Sequence, residues 1–167
     1  MEAEATNSVK NTISLKINGY YYQRRRHCSC VIAYQNKWIW VIYGNQDYKD
    51  IDDIEKINIA QSNEWMIVKP RANDCSKRCD MMGIQIYADK MIIFGNYESD
   101  ENTETYIIEI DEDSCVINKH SELEAGAKFN STVSPLIVGN KVYAMDYDKR
   151  VHIYNRVTEK WSMLKVR

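Results

Sequence analysis

The most constraining feature of the sequence is a repeat with a period of about fifty residues. Three short runs of β-forming residues reach Gly44, Gly95 and Asp146, and 51 residues separate each of these positions from the next. A fixed period of this length indicates an array of structural units, because each unit buries its apolar faces only against its neighbours. The units predicted from this period are residues 26–69, 77–119 and 128–165.

Each unit contains four short runs that are rich in β-branched and aromatic residues and are bounded by Gly, Asn and Asp. No segment shows the 3.6-residue periodicity of an amphipathic helix, so the pattern predicts four β-strands per unit and an all-β fold. The first strand of each unit is expected at 28–32, 79–83 and 130–134, and the third at 54–59, 106–110 and 151–154. The fourth strand is expected to begin at Trp65, Cys115 and Trp161.

These features together resemble the kelch repeat. The shared pattern is a basic residue before the first strand, a second strand that ends on glycine, a tyrosine in the third strand and a tryptophan near the fourth. Kelch units are the four-stranded blades of a β-propeller. The resemblance covers residues 26–165 and implies kelch-like four-stranded antiparallel blades in a partial β-propeller of about three blades.

The chain departs from the kelch pattern at two places. Kelch blades usually end the second strand on two glycines, whereas the pairs here are Gly44-Asn45, Gly95-Asn96 and Asp146-Tyr147. Asn tolerates positive φ, so the first two pairs are expected to form the turn. The second unit has Cys115-Val116 where the others have tryptophan. An unrelated antiparallel sandwich with three similar hairpins is the alternative interpretation.

The length of 167 residues favours one domain. Residues 1–11 are expected to form a polar N-terminal extension and residues 12–167 a kelch-repeat domain, in which 12–17 is the outer strand of a preceding blade. Propellers close with four to eight blades. Three blades therefore predict an open arc that another chain or a second copy completes.

An open arc is expected to expose apolar surface on its first and last blades. The residues expected on these faces, or next to them, are Val31, Ile42, Tyr143 and Ile153. Such faces predict association, so a soluble, well-folded monomer would contradict this interpretation.

Charge and cysteine content limit the classes of partner and compartment. The 22 basic and 24 acidic residues give a net charge of −2, so neither nucleic acid nor an anionic membrane is an expected partner. The longest apolar run, residues 38–43, is too short to span a bilayer. Five cysteines cannot form a complete disulfide framework, and this indicates a reducing, cytoplasmic location.

The histidines and cysteines predict neither a metal site nor a catalytic one. His27, Cys28 and Cys30 are close in sequence, and so are Cys75 and Cys79, but the spacings are not those of a zinc motif. Cys28 and Cys79 are one period apart, which favours small buried residues. With no pairing of a nucleophile and a base in view, no cofactor is expected, and the chain is expected not to be an enzyme.

Basic residues recur at one position of the repeat. Arg26, Lys77 and Lys128 are spaced by 51 residues and precede the first strand of each unit. In kelch proteins, the corresponding loops rim one mouth of the propeller and contact partners, so the resemblance implies a basic patch for a protein partner with an acidic segment. The predicted partner-binding residues are Arg24, Arg25, Arg26, Lys77, Arg78 and Lys128. The alternative is that these side chains cap local carbonyls or remain in solvent.

The function expected from this resemblance is a non-catalytic protein–protein interaction module. No companion domain of a ubiquitin ligase adaptor accompanies the repeats, so a scaffold or assembly subunit is favoured, of the kind found in cytoskeletal or ciliary assemblies. The alternatives are a substrate-recruiting kelch adaptor of a ubiquitin ligase and an enzyme of propeller fold.

Overall fold

A computed structural model describes much of the three predicted units. The residues it describes are 30–46, 49–60, 65–73, 75, 81–95, 104–123, 127–129 and 134–164. Their regular structure is entirely β-strand, so this part of the chain contains no helix that could cross a bilayer. The predicted extension at 1–11 and the strand at 12–17 lie outside these residues.

The described strands form three sheets. The first has the order β1 (Cys30–Tyr34), β2 (Trp38–Gln46), β3 (Lys49–Asn58) and β4 (Met66–Val68). The second has the order β6 (Met82–Tyr87), β7 (Lys90–Phe94), β8 (Glu104–Ile110) and β9 (Cys115–Glu122), and β5 (Ala72–Asn73) pairs in parallel with β9. The third has the order β10 (Leu136–Val138), β11 (Lys141–Met145), β12 (Val151–Asn155) and β13 (Lys160–Met163).

This architecture confirms the predicted all-β fold of three four-stranded antiparallel sheets, arranged like blades and not closed into a ring. The third strand of each unit overlaps its expected range, although β3 already begins at Lys49. The first strands of the first two units extend beyond their expected ends, to Tyr34 and Tyr87. The expectation for the third unit is wrong, because β10 begins only at Leu136, after the expected range of 130–134. Pro135 immediately precedes it and has no N–H to donate to a neighbouring strand.

The prediction of a turn at Gly44-Asn45 is wrong. Strand β2 continues to Gln46, and its pairing with β3 shifts between Ile42 and Gly44. Tyr43 has a φ of 55° and Gly44 a φ of 146°, so the backbone bulges here without ending the strand. A bulge of this kind inserts one extra residue and bends the strand. The glycine is therefore used inside the strand.

The other two units keep a break at the expected position. Strand β7 ends immediately before Gly95, which has a φ of 83°. Asp146 begins a turn in which the N–H of Lys149 donates to its carbonyl oxygen at 3.0 Å. Lys149 has the positive φ of 64° in that turn.

The bulge at Tyr43 changes which side chains face which sheet. Trp40 and Ile42 lie in the core between the first and second sheets. Met91 and Ile93, at the same distances from Gly95, lie in that same core and therefore point back toward the first sheet. The bulge shifts the alternation of β2 by one residue. Trp40 and Ile42 therefore point toward the next sheet, whereas Met91 and Ile93 point toward the preceding one.

The three sheets therefore stack in one direction. Each has an incoming face, turned toward the preceding side of the array, and an outgoing face, turned toward the next sheet. The first core joins the outgoing face of the first sheet, with Trp40 and Ile54, to the incoming face of the second, with Met91 and Ile108. The second core joins the outgoing face of the second sheet to the incoming face of the third. Its buried residues are Met82, Ile86, Ile92, Phe94, Ile107, Leu123, Ala127, Phe129, Val142, Ala144 and Tyr154.

A buried lysine helps to join the first two sheets. Lys56 is 5% exposed, and its Nζ lies 4.5 Å from the ring centroid of Trp38 and 5.2 Å from that of Trp40. The same ammonium donates to the backbone carbonyl of Glu112 and lies 3.7 Å from Oδ1 of Asp113. Aromatic faces and carbonyl oxygens both attract a cation, so these neighbours compensate the Lys56 ammonium group for its removal from water.

The strand register supports the predicted equivalence of Trp65 and Trp161. Trp161 lies opposite Tyr154. The β3–β4 register, continued by one residue, places Trp65 opposite Ile57. Ile57 pairs in turn with Ile39, and Tyr154 pairs with Val142. Ile39 and Val142 both lie on incoming faces.

In the second unit, Ile117 holds the corresponding position opposite Ile108. The expectation that Cys115-Val116 replaces the tryptophan is therefore wrong by one or two residues.

Candidate functional site

The third sheet turns one of its faces to solvent. Along β11, Val142 and Ala144 are buried against the second sheet, so the alternating residues of the strand point the other way. The strand pairings extend this pattern across the sheet. The outgoing face of the third sheet, hereafter the outer face, consists of Leu136, Val138, Lys141, Tyr143, Met145, Val151, Ile153, Asn155, Lys160, Ser162 and Leu164.

The outer face is mostly apolar. Leu136 and Val138 on the edge strand β10 are 61% and 56% exposed. Met145 and Leu164 at the other end of the strands are 39% and 47% exposed. The centre of the face consists of half-buried Tyr143, Val151 and Ile153. Contiguous apolar surface of this kind is typical of an interaction site.

One margin of the outer face is basic. The register aligns Val138, Lys141, Asn155 and Lys160 in one row across the four strands. Lys141 and Lys160 are both exposed, and no described residue forms an ion pair with either of them. No residue of the outer face carries a carboxylate. The face therefore combines an apolar surface with two cations along one edge.

The outer face is equivalent to the two faces that join the sheets internally. The outgoing faces of the first and second sheets are each covered by the next sheet. The third sheet stacks on the second in the same direction, so its outer face is the third outgoing face of the array. In the first two sheets this position is buried, and in the third it is open to solvent.

The far side of the first sheet behaves differently from the expectation. Ile42 was expected on an exposed face, but it is fully buried against the second sheet because of the bulge at Tyr43. On the incoming face of this sheet, Val41 is 7% exposed and Ile57 is 1% exposed. At the edges of this face, Val31 on β1, as expected, and Ile67 on β4 are exposed.

A second feature is a buried polar network at the β11–β12 turn. The carboxylate of Asp146 accepts the backbone N–H of Arg150 at 2.8 Å, the Nε–H of Arg150 at 2.7 Å and a hydrogen bond with Nε2 of His152 at 3.0 Å. Burial alone would raise the pKa of Asp146, but the hydrogen bonds from His152 and Arg150 outweigh burial and lower it. These hydrogen bonds hold the turn between β11 and β12 together.

Beside this network lies a small cleft between the second and third sheets. Its volume is about 260 Å³, and its lining residues are Glu122, Leu123, His152, Trp161 and Ser162. His152 is almost fully buried, and its Nε2 is already engaged by Asp146. The Ser162 hydroxyl, which also lines the cleft, donates to the carbonyl oxygen of Ile153 at 3.4 Å.

A second histidine lies at the same junction. Nε2 of His120 is 3.0 Å from the hydroxyl of Tyr154 and 3.2 Å from the carbonyl oxygen of Glu159. Burial raises the pKa of the Tyr154 hydroxyl, which therefore stays neutral. These contacts tie β9 of the second sheet to the third sheet.

The structure tests little of the predicted basic patch. Lys128 is exposed, and its carbonyl oxygen accepts the N–H of Tyr147 at 2.6 Å. The other five residues of the patch lie outside the described residues: Arg24, Arg25, Arg26, Lys77 and Arg78. The patch therefore stays a prediction.

Two cysteines, Cys75 and Cys115, are buried. Burial raises the pKa of the Cys115 thiol to about 11. Among the described residues, no group of three or more His, Cys, Asp or Glu side chains could hold a metal ion. His27, Cys28 and Cys79 lie outside those residues.

Comparison of the sequence with models of known protein families and with curated proteins gave no match. The kelch resemblance therefore rests on the repeat positions in the sequence alone. An exposed apolar face was expected on the last unit, with Tyr143 and Ile153 on it or next to it, and both residues lie on the outer face. The edge residues Leu136 and Val138 and the basic margin were not identified from the sequence. The signal of the outer face in the sequence is the alternation Lys141-Val142-Tyr143-Ala144-Met145, in which both faces of the strand are compatible with burial.

Proposed function

We propose that the chain is a non-catalytic protein–protein interaction module that acts as a scaffold or assembly subunit of kelch type. The observation that carries this proposal is the outer face, where Leu136 and Val138 remain more than half exposed. Water disfavours contiguous apolar surface, and its burial against another protein is favourable in proportion to the area removed from solvent.

Interface anatomy supports this reading of the outer face. An apolar centre bordered by polar and charged residues is the usual composition of a protein-binding surface. Tyr143 lies at the centre, and aromatic residues are enriched in such positions. Lys141 and Lys160 border the face. A partner that covers the apolar rows would leave these two ammonium groups at the rim, where they guide orientation.

The kelch resemblance specifies the class of module. Kelch repeats serve as binding platforms, and this chain adds to the repeats no assembled constellation of a nucleophile and a base among its described residues. We propose from the kelch resemblance that the protein belongs to a multi-chain assembly in the cytoplasm that is associated with the cytoskeleton. In this proposal the first and second sheets form the base that presents the third.

The test compares native assemblies that contain altered forms of the full chain. Leu136→Asn and Val138→Asn together should remove the apolar edge of the outer face. Val157→Asn is the matched control, because Val157 is 69% exposed but lies in the β12–β13 turn, away from the face. Size-exclusion chromatography with light scattering measures the mass of the complex purified from native cells.

We expect the unaltered chain and the control to be recovered in a complex larger than the 19.6 kDa of the chain itself. The double variant should be recovered as a folded monomer with an unchanged circular dichroism spectrum. A complex that retains the double variant would contradict a role for the outer face. An unaltered chain that occurs in cells only as a monomer would contradict the interaction module altogether.

A further inference from the structure

Resting on the proposed function, we infer that the occupant of the outer face is a β-sheet of a different protein, with an apolar incoming face and acidic side chains opposite Lys141 and Lys160. The outer face continues a series of interfaces already present in the chain. In both internal interfaces, the outgoing face of one sheet is covered by the incoming face of the next. A partner sheet would add a fourth member to this stack.

The first internal interface shows how basic residues on an outgoing sheet are matched. Lys56 belongs to the outgoing face of the first sheet, and Lys37 lies in the adjacent β1–β2 turn. Glu112 and Asp113, in the β8–β9 turn of the next sheet, meet these cations. Oε1 of Glu112 lies 2.5 Å from Nζ of Lys37, and Oδ1 of Asp113 lies 3.7 Å from Nζ of Lys56.

The lysines of the outer face occupy the corresponding margin. Lys141 pairs with Asn155 in the third sheet, and Trp38 pairs with Asn58 at the same position of the first sheet. Both Lys37 and Lys56 pack against Trp38. The acidic turn that meets this margin in the first interface connects the third and fourth strands of the incoming sheet. The same turn of the partner sheet is therefore the expected position of its Asp or Glu residues.

Two observations argue against a second copy of this chain as the occupant. A head-to-tail copy would have to offer the incoming face of its first sheet. The centre of that face, at Val41 and Ile57, is already buried within the chain, and the exposed apolar residues Val31 and Ile67 lie on its two edge strands. A copy that packed through its own outer face would bring no carboxylate, because the face contains none. Lys141 and Lys160 would then remain unmatched in either strand orientation.

The experiment uses two cyclic β-hairpin peptides as probes, since an isolated linear hairpin is only marginally stable in water. Both peptides present the same row of Val and Ile on one face. One carries Glu at the two positions that align with Lys141 and Lys160, and the other carries Lys there. Fluorescence anisotropy measures the binding of each labelled peptide to the full chain and to Lys141→Glu/Lys160→Glu.

We expect the unaltered chain to prefer the Glu peptide by about three- to tenfold, the range that two exposed ion pairs supply. The preference should shrink at high salt, because exposed charges are screened. The charge-reversed variant should prefer the Lys peptide. Leu136→Asn/Val138→Asn should bind neither peptide, which separates the apolar contribution from the electrostatic one.

Other outcomes distinguish this inference from the proposed function. Equal binding of both peptides would overturn the acidic margin and leave the interaction module intact, and binding of neither would overturn a sheet as the occupant. A dimer of the purified chain that Leu136→Asn/Val138→Asn dissolves would identify a second copy as the occupant and overturn the inference. The proposed function itself is contradicted by different results: native complexes that tolerate the altered outer face, or an unaltered chain that occurs in cells only as a monomer.

Discussion

Replacement of Asp146 by Asn removes a buried charge while keeping the size and shape of the side chain. Oδ2 of Asp146 takes part in two hydrogen bonds, with Nε of Arg150 at 2.7 Å and with Nε2 of His152 at 3.0 Å, and Oδ1 accepts the backbone N–H of Arg150. An amide has only one carbonyl oxygen. Its NH₂ group must therefore face at least one of the donors that the carboxylate now satisfies.

The expected loss of stability follows from these bonds. A hydrogen bond that involves a charged group contributes about 1.5–3 kcal/mol, and a buried donor left without an acceptor costs about 1–3 kcal/mol. Arg150 is 35% exposed, so water can solvate part of its guanidinium. His152 is 1% exposed and has no such compensation. We therefore expect Asp146→Asn to lower the free energy of unfolding at pH 7 by about 3 kcal/mol.

The pH dependence has a definite sign. The pKa of Asp146 in the folded chain is lower than its ordinary value. The carboxylate therefore contributes its full stabilisation above its pKa in the unfolded chain, about 3.9, and loses it as the pH falls through the lower folded pKa. The difference in stability between the unaltered chain and Asp146→Asn should persist at neutral pH and shrink below about pH 4.

Urea unfolding followed by tryptophan fluorescence and circular dichroism, over a series of pH values, measures this difference. Asp148→Asn is the control, because Asp148 is 57% exposed and makes one 3.3 Å ion pair with Arg150. Such an exposed pair contributes at most about 1 kcal/mol. Two results would refute the conclusion that a buried carboxylate network stabilises the turn. One is an equal loss of unfolding free energy in the two variants, and the other is a difference that grows toward acid pH.

Two further predictions follow from the cores. Trp161→Ala should lower the free energy of unfolding by about 2–4 kcal/mol. Trp161 is half-buried, and its ring centroid lies 5.1 Å from that of Phe94 and 5.2 Å from that of Tyr154. The control Val157→Ala should change the free energy of unfolding by less than about 0.5 kcal/mol in the same urea titration. The thiol of Cys115 has a pKa of about 11 and should be modified by thiol reagents only on unfolding, as mapped by mass spectrometry, and faster labelling in the folded chain would contradict its burial. Because the unfolded thiol ionises at lower pH than the folded one, Cys115 should also reduce stability as the pH rises from about 9 to 11, an effect absent in Cys115→Ser.

The strands could be predicted because they depend on local composition. Runs such as Lys90–Phe94 combine β-branched and aromatic residues with a terminal glycine, and the pairing of neighbouring runs follows from short connections. The bulge could not be predicted, since Tyr43 is a bulky residue at positive φ and sequence preference argues against that conformation. Ile42, which was expected on an exposed face or next to one, therefore lies in the core between the first and second sheets.

The candidate site was harder to predict than the fold, for a different reason. In β11 both alternating sets contain apolar residues, Val142 and Ala144 on one face and Tyr143 and Met145 on the other. Periodicity reports that a strand has two faces, but it cannot say which neighbours cover them. The direction of stacking answers that question, and it is visible only in the packing of the third sheet against the second.

The direction of stacking also decides how the array can be extended. The incoming face of the first sheet is buried at its centre, at Val41 and Ile57, and exposes Val31 and Ile67 only on its edge strands. The outgoing face of the third sheet is exposed at its edge and only half-buried at its centre, at Tyr143 and Ile153. Two copies joined in a ring would need an open face at each end. A stack that is open at one end can instead receive one further sheet, and the basic margin at Lys141 specifies how that sheet is oriented. An open outgoing face thus favours a different protein as the next member of the stack over closure by self-association.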